Sequence, residues 1–293
     1  MKHGMILLGL TSVMLVSCKM ADVRTNYMHS STSIDDERKG RQLLEASVEA
    51  MGYNALPELD AYEVTAYFDW RLPWSLMPVN SLPGAKRNEI RFRFRPDSFD
   101  GQVEYLEGRK KGAVYGLQSW ETYKIKDNSP VLRNDKRRSW GLATFHYILE
   151  SPYRLLNADI ITYAGETTFE GKEYDLVFVT WERPEPHKEH DHWLLYINKE
   201  TKFIDLSNLT IRDFFAPFPP KLAEGTARFI AREKAKSGIY FPSNLVIQLL
   251  DPKKEKKHIY RVTFKEYEFN SFDVSDLNPM NNLKRYNDEK PGK

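Results

Sequence analysis

The chain has 293 residues, of which 41% are hydrophobic and 13% aromatic, with 43 basic and 41 acidic side chains. The apolar content excludes an intrinsically disordered chain, and the near-neutral charge gives no support to nucleic-acid binding or to electrostatic adhesion to a membrane. The length suits one large β-rich domain or two small ones.

The N-terminus is typical of a secreted protein. Lys2 is followed by an apolar run, Met5 to Val16, and then by Ser17 and Cys18. A short basic head, a greasy core and small residues at the cleavage site form the secretory pattern. The run is shorter than the roughly 20 residues that cross a bilayer. Residues 1–17 are therefore predicted to be a signal peptide.

The last four residues of this region, Leu-Val-Ser-Cys at 15–18, resemble the lipobox of bacterial lipoproteins, in which the cysteine thiol receives a diacylglycerol. Cys18 is the only cysteine in the chain, so it has no partner for an internal disulfide. The resemblance implies that Cys18 carries diacylglycerol and palmitate-type acyl chains, which are sufficient for stable anchoring. A cleaved signal with a chance cysteine is the alternative.

The residues after the cysteine indicate a destination. Lys19 and Met20 stand where many lipoproteins retained in the inner membrane have an acidic residue. No dense acidic run follows that would indicate export to the cell surface. The sequence therefore predicts a bacterial envelope protein, held in the outer membrane by its lipid and facing the periplasm.

Four segments are predicted along the chain. The signal peptide at 1–17 precedes the lipidated cysteine and a flexible tether at 18–38, because residues 30–33 read Ser-Ser-Thr-Ser in polar surroundings. A single β-rich domain is predicted over 39–273. A polar tail is predicted over 274–293.

Two helices are predicted within this framework. The first begins near Asp35 or Asp36, whose side chains suit an N-cap, and ends with Gly52 as a C-cap. The second is a mid-chain insertion from Trp140 to Leu149, which stops at Pro152. No later stretch is apolar for long enough to span a membrane.

Strand patterns dominate the remainder. The clearest is Ile90, Phe92 and Phe94, which alternate with arginines at 91, 93 and 95. One helix, about ten short strands and a helical insertion predict an α+β protein of mostly antiparallel sheet, strongly curved or rolled into an incomplete barrel. The apolar inner face of such a sheet is either filled by side chains or holds a ligand.

Three stretches carry a family likeness. Residues 150–159 contain a small-Pro-aromatic-x-Leu pattern, residues 169–179 a Gly-Lys-x-Tyr strand, and residues 191–201 an Asp-x-aromatic-x-Leu-Tyr-Ile hairpin. These stretches resemble a family of uncharacterised bacterial lipoproteins. The hairpin at 191–201 resembles, more loosely, the lipoprotein carrier and receptor (LolA/LolB-like) superfamily. The resemblance implies an incomplete barrel around an apolar cavity under a helical lid. It implies architecture rather than a reaction.

Three histidines lie close together in residues 184–193. His187, His190 and His192 alternate there with carboxylates, and both groups are ligands of Zn²⁺ and Cu²⁺. His190 and His192 would share one face of a strand. The spacing differs from the helical HExxH pattern and two prolines oppose a helix, so a solvated hairpin loop is favoured. No cofactor is predicted, and a metal site on these histidines is the minor alternative.

Catalytic patterns are missing from the sequence. It has no Gly-x-Ser-x-Gly elbow and no Gly-rich phosphate loop after a strand, and Cys18 is not free once lipidated. His146 falls on the apolar face of the mid-chain helix and is interpreted as a core or rim histidine. The sequence therefore predicts no catalytic residue and a protein that is not an enzyme.

Two apolar stretches, 72–78 and 214–220, are broken by prolines and fit no regular strand. Each must either cover the core, which is the commoner fate, or present apolar surface to a ligand or partner. The residues predicted to form the rim of a ligand cavity are Trp74, Leu76, Met77, Phe214, Phe215 and Phe218.

The sequence favours a lipid-anchored, non-enzymatic protein whose curved sheet binds or carries an apolar molecule such as an acyl chain or lipid. The alternative is a structural or interaction lipoprotein, in which a filled sheet recruits an envelope protein partner. In either case the membrane is contacted through the N-terminal lipid, and no nucleic acid is expected.

Overall fold

The described part of the chain forms one sheet of 13 strands with three α-helices. The predicted signal peptide, Cys18 and Phe218 lie outside it. The computed structural model describes residues 20–30, 33–96, 98–216, 219–249 and 258–280. The strands are β1 Tyr62–Trp70, β2 Glu89–Phe94, β3 Gly101–Tyr105, β4 Val114–Gln118, β5 Glu121–Lys126, β6 Ser129–Arg133, β7 Ile160–Phe169, β8 Lys172–Thr180, β9 Trp193–Asn198, β10 Ile204–Thr210, β11 Glu224–Lys234, β12 Tyr240–Gln248 and β13 His258–Phe269. The α-helices are α1 Asn26–Ser30, α2 Ile34–Ala50 and α3 Lys136–Arg154.

The first and last strands lie side by side in the middle of the sheet. The spatial order is β6-β5-β4-β3-β2-β1-β13-β12-β11-β10-β9-β8-β7, and neighbouring strands are antiparallel. The sheet is curved and open, with β6 and β7 at its edges. The predicted α+β class and mostly antiparallel sheet are confirmed, with 13 strands in place of about ten.

Helix α3 joins the two edges of the sheet, because it follows β6 and precedes β7. It packs on β3, β4 and β5 and covers the face that we call the inner face. The predicted helix at Trp140–Leu149 is the middle of this element, and Pro152 lies within its last turn rather than beyond its end. No helix in the residues described is long and apolar enough to cross a bilayer.

Aromatic side chains fill the space between α3 and the middle of the sheet. The ring of Phe145 on α3 lies 5.1 Å from that of Phe68, 5.4 Å from Phe92 and 6.1 Å from Tyr260, centroid to centroid. All four side chains are buried. The alternation predicted for β2 explains part of this packing, because Phe92 and Phe94 face the core while the intervening arginines are half-exposed.

Helix α2 begins earlier than the sequence suggested. Ser33 is the N-cap: its hydroxyl accepts from the Asp36 amide at 3.2 Å, and the Asp36 carboxylate accepts from the Ser33 amide at 3.0 Å. This reciprocal capping box makes Asp36 the third helical residue, so the predicted N-cap at Asp35 or Asp36 is wrong. Gly52 follows the C-cap residue Met51 with φ of 74°, which glycine adopts without strain.

Residues 21–28 pack on the outer face of the sheet, where the sequence predicts a tether. Val23 and Met28 are buried against Phe178 and Leu194. Ala21 is also buried. The three residues stand among polar ones without a sustained helical or strand period, so no local pattern predicts this packing.

The N-terminal segment then passes around the edge strand β7. Thr25 donates its hydroxyl to the Ala164 carbonyl of β7 at 2.7 Å. The Tyr27 ring lies 5.4 Å from that of Tyr163, and its hydroxyl donates to Asp36 at 2.8 Å. Helix α2 continues on the inner face of β7 and β8. Residues 21–30 on the outer face and 33–50 on the inner face therefore cover one edge of the sheet from both sides.

The start of the predicted polar tail is also packed. Leu277, in a 3-10 turn at Val274–Leu277, is buried, and its carbonyl accepts from the Tyr123 hydroxyl at 3.2 Å. The Gln118 side chain donates to the Met280 carbonyl at 3.0 Å and accepts from the Met280 amide at 2.9 Å. Residues 274–280 thus cover β3 to β5, and the remainder of the tail lies outside the described residues.

Candidate functional site

Three long loops lie at one end of the sheet, which we call the loop end. They are residues 71–88 after β1, 181–192 before β9 and 211–223 between β10 and β11. The second and third loops are carried by the adjacent strands β8 to β11, and β12 and β13 lie between them and β1, which carries the first loop. At this end the register pairs Trp70 with Tyr260, Thr226 with Gln248, Thr210 with Glu224, and Leu209 with Trp193.

The first predicted rim loop is held by the start of α3. Arg137 donates from Nε to the Asn80 carbonyl at 2.7 Å and from a terminal nitrogen to the Met77 carbonyl at 3.3 Å. A 3-10 turn at Trp74–Leu76 leaves Trp74 half-buried and the Leu76 side chain 81% exposed. The backbone of this loop is therefore fixed while its apolar tip faces outward.

The second predicted rim loop meets the same helix one turn later. The Trp140 ring lies 4.9 Å from that of Phe214, edge to face, and 6.0 Å from that of Phe215. The Trp140 indole Nε1 donates to the Asp213 carboxylate at 3.3 Å. Both phenylalanines are half-buried. The first two turns of α3 therefore bring together two loops that are more than a hundred residues apart in sequence.

Two recesses open beside these loops. One, of about 620 Å³, is lined by Phe215 and by residues 133–137, which include two arginines and a lysine but only one carboxylate. The other, of about 540 Å³, lies beside the first loop and is lined by Asp69, Trp70, Arg71, Leu72, Lys86, Arg87 and His258. Both combine apolar and basic groups. They fit the polar end of an anionic amphiphile better than an isolated hydrocarbon chain.

The histidine loop lies at the same end but on the outer face. The His187 ring lies 5.6 Å from that of His190 and 5.4 Å from that of His192, so both close pairs involve His187. Residues 181–192 form a loop, and β9 begins only at Trp193, so the predicted strand placement of His190 and His192 is wrong. Within the residues described, no group of three or more His, Cys, Asp or Glu side chains is arranged to hold a metal ion.

Each histidine has a different environment. His190 contacts the Glu182 carboxylate at 3.1 Å, and His187 contacts that of Glu189 at 3.1 Å. His192 is fully buried against Phe178. Burial, followed by the charges of Arg212 and His187, lowers the pKa of His192 to about 4. It is therefore neutral at physiological pH.

A buried charged cluster on α3 was missed by the sequence analysis. His146, Glu150 and Arg154 are spaced four residues apart and are all buried. Glu150 accepts from Arg154 Nε at 2.7 Å and lies 2.8 Å from His146 Nε2. Burial alone would raise the pKa of Glu150, but Arg154 and then His146 hold that pKa below its ordinary value. The four-residue spacing was the available signal, although only His146 was noted, as a core or rim residue.

The cluster ties α3 to the sheet. Arg154 donates to the Ser98 carbonyl at 2.8 Å and lies 4.4 Å from the ring centroid of Phe99. The His146 ring stacks on Phe94 of β2 at 4.2 Å. These contacts join α3 to β2 and to the turn after it, so the cluster is a buried network that holds the helix on the sheet.

Comparison with known proteins identifies the fold. No protein-family model matches the sequence, and no curated protein matches it. A LolA superfamily protein from Nitrosomonas europaea is 8% identical, with 79% of this chain and 96% of that chain covered and a TM-score of 0.49. A DUF1329 family protein from Desulfovibrio piger is 8% identical, with 83% and 97% covered and a TM-score of 0.50. The lipoprotein LppX from Mycobacterium tuberculosis is 10% identical, with 79% and 97% covered and a TM-score of 0.29.

These values describe a likeness of fold. The DUF1329 family protein, at a TM-score of 0.50, shares the fold of this chain, and the predicted architecture of a curved, mostly antiparallel sheet is confirmed at that level. The structure thus belongs to the class of open, curved antiparallel sheets with helices on the inner face. At such low sequence identity the likeness transfers no ligand or residue role to this chain.

Proposed function

We propose that this protein is a lipid-anchored, non-enzymatic component of the bacterial envelope that binds or carries an acyl chain or lipid at its loop end. The proposal is based on the arrangement of two loops. Two proline-broken apolar loops, 71–88 and 211–223, converge on the first turns of α3 and leave apolar side chains uncovered there. Apolar side chains grouped in this way at one end of a sheet are typical of a surface that binds a ligand or partner.

The basic recesses refine the class of ligand. Arg133, Lys136 and Arg137 line one recess together with Phe215, and Asp135 is the one acidic residue among its lining residues. Phe215 and its neighbours supply apolar contact, while the arginines supply charged donors for phosphate or carboxylate. The proposed ligand is therefore an amphiphile with a negatively charged head, such as a phospholipid or a fatty acid.

The packed interior limits where the ligand sits. Phe145, Phe68 and Phe92 occupy the space under the middle of α3. A ligand bound with α3 in this position lies at the loop end, between the two loops and the start of the helix. This differs from the predicted ligand enclosed by the sheet, because the aromatic side chains of α3 occupy that space.

Binding of a fluorescent fatty acid tests the proposal. Replacing Phe215 by serine is expected to weaken binding about tenfold or more, since a buried phenylalanine contributes about 1.5 to 3 kcal/mol and each 1.4 kcal/mol is a factor of ten. Phe203→Ser is the matched control, because Phe203 is also half-buried but packs on Tyr240 away from the loop end. Equal affinities for the two variants would exclude the Phe215 recess as the binding site.

The alternative function is that of an interaction lipoprotein that recruits an envelope protein. The filled space beneath α3 favours it, because a filled sheet is a rigid scaffold whose surface is free for recognition. In-cell cross-linking separates the two. A stoichiometric protein partner, with no fatty-acid binding by the purified chain, supports the alternative.

A further inference from the structure

Five of the large apolar side chains that the described residues expose lie at the loop end. Leu72 is 61% exposed and Leu76 81% exposed in the first loop, and Leu222 is 58% exposed in the loop before β11. Met77, at 37%, and Leu249, at 40% just after β12, belong to the same end. Isolated exposed leucines are ordinary on protein surfaces. Here five large apolar residues share one end of one sheet, so they form an apolar surface at that end.

Basic side chains accompany these residues. Arg71 and Lys86 line the recess beside Leu72. Arg87 is largely exposed, and its nearest carboxylate, that of Asp69, is 3.8 Å away. Lys221 is exposed next to Leu222. Leucines that can enter hydrocarbon, flanked by cations that can reach phosphates, match the interface of a bilayer with anionic lipids.

The first described residues of the chain lie at this same end of the sheet. The Ala21 amide donates to the Pro220 carbonyl at 3.0 Å, and Arg212 donates to the Ala21 carbonyl at 2.6 Å. Both partners belong to the loop that carries Leu222. Cys18 precedes Met20, the first described residue, by two positions, and two residues reach at most about 7 Å. A lipid on Cys18 would therefore enter the membrane close to Leu222.

We propose that the loop end is a membrane-docking surface: it rests directly on a phospholipid bilayer, with Leu76 and Leu222 in the interface. The inference rests on the lipidation of Cys18 in the proposed function. It adds an orientation of the protein on the membrane, and it replaces the predicted tether by direct contact between the loop end and the bilayer. The segment predicted to hold the body away from the membrane is packed on the sheet from Ala21 onward. The proposed ligand site between the two apolar loops then faces the bilayer, and an amphiphile can pass from the bilayer into this site without crossing water.

Site-specific fluorescence tests this orientation. Since Cys18 is the only cysteine and carries the lipid, the variants Leu76→Cys, Leu222→Cys and Ile230→Cys each offer one free thiol for an environment-sensitive label. The lipidated full chain is reconstituted on vesicles of phosphatidylethanolamine and phosphatidylglycerol that contain a nitroxide-labelled lipid. Ile230 is the control, because it is 46% exposed but lies six residues along β11, about 20 Å from the loop end.

Labels at positions 76 and 222 are expected to lose most of their fluorescence to the nitroxide, while the label at 230 keeps it. Vesicle flotation is measured on the same samples, with Cys18→Ser as the unanchored control. A chain that floats while all three labels are quenched equally, or not at all, overturns the orientation alone. A chain that fails to float overturns the lipidation and this inference with it. Neither result depends on fatty-acid binding, which is measured separately.

Discussion

Replacing Arg154 by alanine is expected to lower the free energy of unfolding by about 3 to 5 kcal/mol, because it leaves a buried carboxylate without its main partner. Glu150 is fully buried and accepts from Arg154 at 2.7 Å. The same guanidinium donates to the Ser98 carbonyl at 2.8 Å, so the change also frees the turn between β2 and β3 from α3. Urea unfolding followed by circular dichroism measures the loss.

An exposed arginine provides the control. Arg38 pairs with Asp35 at 2.7 Å, with the two side chains 67% and 71% exposed. Arg38→Ala is expected to cost less than about 1 kcal/mol, as exposed ion pairs do. Comparable losses for Arg154→Ala and Arg38→Ala would show that the cluster on α3 is not a buried network.

The effect of Arg154→Ala depends on pH in a definite direction. Arg154 and His146 hold the pKa of Glu150 below its ordinary value even though burial alone would raise it. A depressed folded-state pKa means that the contribution is present above the ordinary carboxyl pKa and is lost as pH falls through the folded value. The difference between wild type and Arg154→Ala is therefore expected to shrink below about pH 4.

Replacing Gly40 by alanine is expected to destabilise the fold by about 1 to 3 kcal/mol, although alanine is the better helix former by about 1 kcal/mol. A Cβ at this position would lie 2.5 Å from the carbonyl carbon of Thr162 and 2.5 Å from the amide nitrogen of Tyr163. Both are backbone atoms of β7, so relief requires α2 to move off the sheet. The steric and propensity effects have opposite signs, which makes the sign of the change informative.

Glu45→Ala on the same helix is the control for Gly40→Ala. Glu45 is exposed, so its replacement is expected to change stability by no more than about 0.5 kcal/mol. Thermal unfolding of the three proteins measures both effects. A Gly40→Ala variant as stable as wild type or more so would mean that α2 does not approach β7 as closely as the structure shows.

The sequence predicted the interior strands well because one of their faces is buried. The alternation at Ile90, Phe92 and Phe94 corresponds to β2, whose apolar residues face the core. Strand β6 gave no such signal. It is an edge strand whose residues are mostly exposed, and it tolerates Pro130, which a central strand would not. Its sequence at 129–133, Ser-Pro-Val-Leu-Arg, shows no alternation of apolar and polar residues.

The length of α3 was underestimated for a different reason. Pro152 normally marks the end of a helix, because it lacks an amide hydrogen and clashes with the preceding turn. In α3 the Ile148 carbonyl, which Pro152 cannot satisfy, accepts from the Ser151 hydroxyl at 3.2 Å. Local chemistry of this kind appears only when side-chain positions are known.

The candidate site was predictable in its parts but not in its assembly. Proline-broken apolar stretches identified Trp74, Leu76, Phe214 and Phe215 from the sequence. Their convergence on α3 depends on contacts between distant segments, such as those of Arg137 with the first loop, which no local pattern contains. The packing of residues 21–28 on the outer face was hidden for the same reason.

Native mass spectrometry of the full chain, purified from envelope membranes, tests the lipid-binding proposal most directly. We expect two additions: a covalent diacylglycerol and acyl mass on the chain that begins at Cys18, and a second, non-covalent phospholipid or fatty acid that Phe215→Ser reduces. A chain that carries no non-covalent lipid, and that co-purifies instead with a stoichiometric protein partner, would contradict it.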